Sequence, residues 1–240
     1  MKKGTKAIFF LALCCNCMIA FGQIGDDDPY KGDAFQAFQQ KDYSQAVILF
    51  SKIIIKDTSD FETYYNRGTC YSKLHQYSQA IKDYNKVIAN DTNNYYAILN
   101  RGIAYYRMSN NKLALKDFNK AVKMDFHDNS ALVNRAMVWT ALQKYDYAIS
   151  DLDSALKIQP RDFIAFFNKG IIYLTTKSYS ASIICFDMAI NIDSTNADSY
   201  YYRGLTKYQN KNIVDACKDY EKAFQYGNAD AGNELKANCK

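Results

Sequence analysis

The sequence predicts an all-α solenoid of six helix–turn–helix units closed by a short C-terminal helix. Three observations point to it. Short motifs recur every 34 residues without slip. Apolar residues inside each unit fall at i, i+3, i+4 and i+7, the spacing of one helix face. Two prolines and ten glycines in 240 residues are too few for a turn-rich β protein.

The first element is not part of the solenoid. Residues 1–22 read as a secretory signal. Lys2, Lys3 and Lys6 form a positive head. Residues 7–21 are apolar except for Asn16, and Ala20 and Gly22 supply a small-x-small exit. That stretch is 15 residues long, short of the roughly 20 that a membrane-spanning helix needs. Cleavage after Gly22 leaves Gln23 first. Lipoprotein anchoring competes, because Cys14, Cys15 and Cys17 lie in the segment. It is the weaker reading, since they follow Leu13, Cys14 and Asn16 rather than a small residue. The chain is therefore expected in the periplasm or outside the cell.

Without the signal, 27 basic residues face 25 acidic ones, a net charge of +2 against +5 for the whole chain. No basic stripe remains, so nucleic acid is excluded as a partner. Four cysteines remain of seven: Cys70, Cys185, Cys217 and Cys239. An oxidising compartment permits a disulfide among them.

Residues 23–230 carry the repeats. Asn66-Arg67-Gly68 returns as Asn100-Arg101-Gly102, Asn134-Arg135-Ala136, Asn168-Lys169-Gly170 and Tyr202-Arg203-Gly204. Parallel series are Ala46, Ala80, Ala114, Ala148, Ser182 and Ala216, then Phe50, Tyr84, Phe118, Leu152, Phe186 and Tyr220. No unit can bury its apolar face alone, so neighbours stack.

These residues resemble the tetratricopeptide repeat family, whose pattern is an aromatic at position 4, Gly at 8, Tyr at 11, Ala at 20, Phe at 24, Ala at 27 and Pro at 32. The resemblance gives six repeats: 27–60, 61–94, 95–128, 129–162, 163–196 and 197–230. The first is degenerate, with Ala34 at the glycine position. The resemblance implies a right-handed superhelix whose first helices line a concave groove. Only Pro160 matches the family proline. Thr58, Thr92, Phe126, Ser194 and Asn228 stand at that position elsewhere, so the links are expected to be less rigid than the family norm.

Two series depart from the family. Position 7, usually leucine there, holds Arg67, Arg101, Arg135, Lys169 and Arg203. Position 23 holds Asp83, Asp117, Asp151, Cys185 and Asp219. The two weaken together in repeat five, which predicts the pairs Arg67–Asp83, Arg101–Asp117, Arg135–Asp151 and Arg203–Asp219. Solvated, unpaired charges are the alternative.

The C-terminal residues, 231–240 with the lead-in from Asn228, read as a capping helix. The end of the chain is similar to exported tetratricopeptide proteins of Gram-negative bacteria, which often carry one cysteine in the last repeat and one in the tail. That similarity implies a Cys217–Cys239 disulfide stapling the cap to repeat six, against the alternative of two free thiols. Cys70 and Cys185 lie three repeats apart and read as packed thiols.

Candidate chemistry is sparse. His75 and His127, the two histidines, are expected at the surface with no ligand-spaced neighbour. Asp26-Asp27-Asp28 before Pro29 reads as a solvated helix start rather than a calcium site. No phosphate loop, Gly-x-Ser-x-Gly or His-Glu-x-x-His motif occurs. The expectation is no enzyme, no cofactor and no metal.

The groove remains. Carried over from the family, its central positions are Tyr96, Leu99, Asn100, Ile103, Tyr106, Val133, Asn134, Met137, Ile164, Phe167, Asn168 and Ile171. Asn66, Asn100, Asn134 and Asn168 would form a ladder of amides able to hold a peptide backbone. The lysine clamp that reads acidic tails is absent, because Tyr65, Thr69 and Ser130 stand where its residues would be. An apolar, aromatic groove centre suits a partner helix or apolar peptide. The expected function is thus a non-enzymatic protein–protein interaction scaffold. The alternative is a structural subunit of an envelope or secretion assembly, docking through its ends or convex face. A glycan cleft at Glu62 with Tyr65, or at Asp198 with Tyr201, is a third class. The partner is unidentified, no integral membrane span is expected, and the oligomeric state is open.

Overall fold

The computed structural model describes residues 29–124 and 128–239. The expected signal, its cysteines, the aspartates before Pro29, and Phe126 and His127 lie outside the described residues. Among the described residues there are thirteen helices and no strand. This is an all-α repeat fold. The helices pair by repeat: α1 (Pro29–Gln39) with α2 (Tyr43–Lys56), α3 (Phe61–Lys73) with α4 (Tyr77–Asn90), and α5 (Tyr95–Arg107) with α6 (Asn111–Met124). Then follow α7 (Ser130–Ala141) with α8 (Tyr145–Ile158), α9 (Phe163–Thr175) with α10 (Tyr179–Ile192), and α11 (Ala197–Gln209) with α12 (Ile213–Gln225). The last helix, α13 (Ala229–Asn238), has no partner helix after it. No helix among them is long and apolar enough to cross a membrane.

The described residues fall into two compact units, 29–131 and 132–239. Within each, packing is nearly one-dimensional. Helices touch their neighbours in sequence, and first helices touch across one repeat, α3 with α5 and α9 with α11. In the first unit, Phe50, Ile53 and Cys70 share a core with Ala34 and Ala46, and Tyr84 and Val87 share another with Ala80 and Ala97. In the second, Phe167, Phe186, Tyr202 and Tyr220 form the core that α13 closes with Ala231.

Close approach explains the glycine series. A Cβ on Gly102 would sit 2.8 Å from the Phe118 ring, and one on Gly170 the same distance from Phe186. Repeat four carries Ala136 there and opposes it with Leu152, which has no ring edge to clash.

Both kinds of turn are fixed by local hydrogen bonds. Inside every repeat the first helix ends in a Schellman motif, for example Gln76 N–H to Tyr71 O (2.8 Å) and His75 N–H to Ser72 O (3.1 Å). The left-handed residue of that motif is Lys41, His75, Ser109, Gln143, Lys177 or Lys211, with φ between 58° and 66°. Only the last turn, before α13, uses a glycine, Gly227 at φ 99°.

Three links without a proline carry a local device instead: an aspartate one residue earlier makes an Asx turn. Asp57, Asp91 and Asp193 accept the backbone N–H of Ser59, Asn93 and Thr195 at 2.8–3.0 Å. The next helix is then capped by Asp60, Asn94 or Asn196. The link before α9 has Gln159 and Pro160 instead, and the one before α13 has Gly227 and Asn228.

Candidate binding face

The charged series sits at the seam between helices. Arg67 donates from Nε and Nη2 to Asp83 at 2.8 Å each, and Arg101 does the same to Asp117 at 2.8 and 2.7 Å. Arg135 reaches Asp151 at 2.8 and 2.6 Å, and Arg203 reaches Asp219 at 2.9 and 2.6 Å. The aspartates are buried and the arginines nearly so. Bidentate geometry matches the planar guanidinium to the carboxylate. The Asp117 hydrogen bond holds the Arg101 guanidinium above its ordinary pKa, against the opposing effect of burial.

A third leg on three of these arginines was not read from the sequence. Arg67 Nη1 donates to Ser51, Arg101 Nη1 to Asn85 and Arg203 Nη1 to Asp187, each in the preceding repeat. In repeat five, Lys169 turns to Asp153 of repeat four. The signal was present: Ser51, Asn85, Asn119, Asp153 and Asp187 form a polar series of period 34. These cations therefore tie repeats to one another and are not available to a ligand.

Cys217 and Cys239 are joined by a disulfide, with Cα atoms 5.7 Å apart. Asn228 donates to Asp198 (2.8 Å) and Tyr208 to Asn238 (3.0 Å), so α13 is held on α11 at both ends. The Asp198–Tyr201 pair is thereby covered. Tyr201 is buried and its hydroxyl is pushed up to about 12, which leaves no glycan cleft there. Cys70 and Cys185 are free and buried, and burial pushes their thiols up to about 12 and about 11. His75 is exposed beside Tyr77. No cluster of metal-ligating side chains occurs among the described residues.

The twelve expected groove residues divide in two. Tyr96 is exposed, and Asn100, Tyr106 and Ile164 are half-buried. Leu99, Ile103, Val133, Asn134, Met137, Phe167, Asn168 and Ile171 are buried. They do not form the open apolar surface that the sequence suggests. Phe167, for example, packs edge-on against Phe186 and Tyr202, with centroids 5.6 and 5.7 Å away. Nor do the asparagines form an open ladder, since Asn66, Asn134 and Asn168 are buried and Asn100 donates to the Tyr65 hydroxyl at 3.0 Å.

An accessible concavity lies one repeat earlier. A pocket of about 400 Å³ opens between the N-terminal ends of α3 and α5 and the C-terminal end of α4. Phe61, Glu62, Tyr65 and Asn66 come from α3, and Tyr96 from α5. Val87, Asn90, Asp91 and Asn94 come from α4 and its link. Asn66 is 4% exposed, and its Nδ2 has no hydrogen-bond partner. The family's positions point to Glu62, Tyr65, Asn66 and Tyr96. They miss Phe61, and Val87 and Asn90 at the end of α4 and Asp91 and Asn94 in the link that follows it.

Regular helix pairs of period 34 with a concavity between first helices define an all-α helical repeat protein. Family profiles described as tetratricopeptide repeat match residues 61–94, 99–161 and 140–197, together more than half of the chain. The chain belongs to the tetratricopeptide repeat family. A search of curated proteins finds no match. Among solved structures, a tetratricopeptide repeat protein from Parabacteroides merdae ATCC 43184 is 20% identical with a TM-score of 0.70, covering 88% of this chain and 83% of its own. YrrB, a TPR protein with an unusual peptide-binding site, is 21% identical with a TM-score of 0.60, covering 78% and 97%. MamA is 22% identical with a TM-score of 0.61, covering 71% and 96%. At these identities the likeness is one of fold.

Proposed function

We propose that this chain is an exported, non-enzymatic scaffold that binds a segment of a partner protein along its first helices, entering at the pocket of α3 and α5. Tetratricopeptide repeats bind proteins or peptides as a class, and a neighbour of the same fold has a peptide-binding site. The observation that carries the reading here is Asn66. A buried amide N–H without an acceptor costs roughly 1–3 kcal/mol, and this one lines a pocket at this face. A peptide carbonyl would satisfy it. Export rests on the composition of residues 1–22, and N-terminal sequencing of the protein from a periplasmic fraction tests it: Gln23 as first residue is the expected result.

Binding is tested with a photoreactive residue at Tyr96, which is 48% exposed. Phe167, buried in its own core, would be the wrong position. A single dominant protein captured in native cells is expected, and no capture would refute this face. A second reading has its own observation. Ile55 on α2, Ile184 on α10 and Val214 on α12 are 80, 63 and 70% exposed. Capture from Ile55 but not from Tyr96 would favour a structural subunit docking through its second helices.

A further inference from the structure

We infer that the pocket at Asn66 takes a cationic side chain, arginine before lysine, from the bound segment; this deepens the reading just given and rests on it. The argument is one of charge and shape. Glu62 and Asp91 place two carboxylates in the lining, Phe61, Tyr65 and Tyr96 place three aromatic rings, and no lysine or arginine is among the lining residues. An acidic tail would be repelled. A cation is attracted twice, by the carboxylates and by the negative faces of the rings. A guanidinium suits this lining better than an ammonium. It stacks flat on aromatic rings and donates through five N–H groups in a fixed plane, whereas an ammonium is a compact, strongly hydrated charge.

The pocket's size agrees. Its 400 Å³ would hold about a dozen waters at the liquid share of each, which is room for one long side chain and its peptide unit. The unused Asn66 Nδ2 then has a role that the cation cannot fill: it donates to the carbonyl oxygen of that peptide unit. Carboxylates and rings select the side chain, and the amide fixes the backbone that carries it. The lysine clamp of other members of the family, absent here, has the opposite polarity.

The test uses three blocked tripeptides, with arginine, neutral citrulline or glutamate between two alanines, titrated at low salt into ¹⁵N-labelled protein in the form that cells accumulate. The arginine peptide is expected to shift the amides of residues 61–66 and 90–96. Citrulline and glutamate are expected to bind at least about fivefold more weakly. Glu62→Gln should narrow the gap between arginine and citrulline without changing the other amide positions. Equal affinity for arginine and citrulline, or tighter binding of glutamate, overturns the inference. So does a cell-wall saccharide that shifts the same amides where the arginine peptide does not. If no tripeptide binds while Tyr96 still captures one dominant partner, the cation is wrong and the binding face stands. If Tyr96 captures nothing, the face itself is wrong.

Discussion

Six intra-repeat turns hold a Cβ-bearing residue in the left-handed region, and replacing it with glycine should stabilise the protein. Gln143 is the clean case. Its φ is 58° and its side chain is exposed. The left-handed region costs an L-residue roughly 1–2 kcal/mol. Glycine returns roughly 0.5–1 kcal/mol of that through the greater entropy of its unfolded chain. Gln143→Gly should therefore gain about 0.5–1 kcal/mol. Lys41, Ser109, Lys177 and Lys211 share the geometry and the exposure. His75 is set aside because its ring contacts the Tyr77 hydroxyl. Each turn lies in its own repeat, so the five gains should add to about 2.5–5 kcal/mol. Urea unfolding followed by helical circular dichroism measures this. Gln143→Val, β-branched and ill-suited to positive φ, should lower the midpoint. Lys116→Gly, on the exposed face of α6, should cost about 1 kcal/mol. A Gln143→Gly midpoint at or below that of the parent, or equal behaviour of the Gly and Val variants, would refute the reasoning.

Three further outcomes follow from the packing. Gly102→Ala should cost about 1–3 kcal/mol by overpacking against Phe118, and adding Phe118→Leu should recover part of it, because repeat four already pairs Ala136 with Leu152. Arg101→Met alone should cost about 3–5 kcal/mol by stranding buried Asp117, whereas Arg101→Met with Asp117→Leu should cost far less; a double-mutant loss equal to the sum of the two single losses would show that the pair is not coupled. Cys70 and Cys185 should resist iodoacetamide at neutral pH in the folded protein and react once unfolded. Their raised thiol pKa values add stability below the ordinary value of 9.0 that is lost as pH rises toward about 12 and about 11, so a melting temperature unchanged from pH 8 to 11 would contradict their burial.

How much of this could be read from the sequence differs by length scale. The helices and the all-α repeat fold were legible because the pattern is enforced in every unit: a chance apolar residue at one position does not recur 34 residues later. The turns were less legible. Lysine, histidine, serine and glutamine carry no left-handed signal, and the conformation is imposed by the two Schellman hydrogen bonds and the start of the next helix. The links were hard to read for a related reason. The missing prolines were visible, but the aspartates that replace them stand one residue earlier, at Asp57, Asp91 and Asp193.

The proposed binding face was the least legible part, and the reason bears on where a ligand would enter. Family positions assign Leu99, Ile103, Phe167 and Ile171 to a groove, but an apolar side chain at such a position is equally a core residue. Only burial separates the two, and here all four are buried. Such side chains are poor probes of binding, since Phe167→Asp would place a carboxylate between Phe186 and Tyr202 and damage the fold before any partner is consulted. Polar residues discriminate better. An amide that forms its bonds within the fold, as half-buried Asn100 does in part with Tyr65, belongs to the structure. A buried amide with a donor left over, as in Asn66, stands at a net cost that folding alone does not recover. The link residues Asp91 and Asn94 line the same pocket as that amide, and the Asx turn of Asp91 fixes the link between them. The same device that replaces the missing proline thus shapes the wall of the pocket. Pro160 occupies the corresponding link before α9, where Gln159 stands in place of the aspartate, so the acidic wall at Asp91 is not repeated there. Moving that link into repeat two, by Asp91→Gln with Thr92→Pro, should preserve helicity and weaken the arginine tripeptide selectively, separating the wall's contribution to binding from its contribution to the fold.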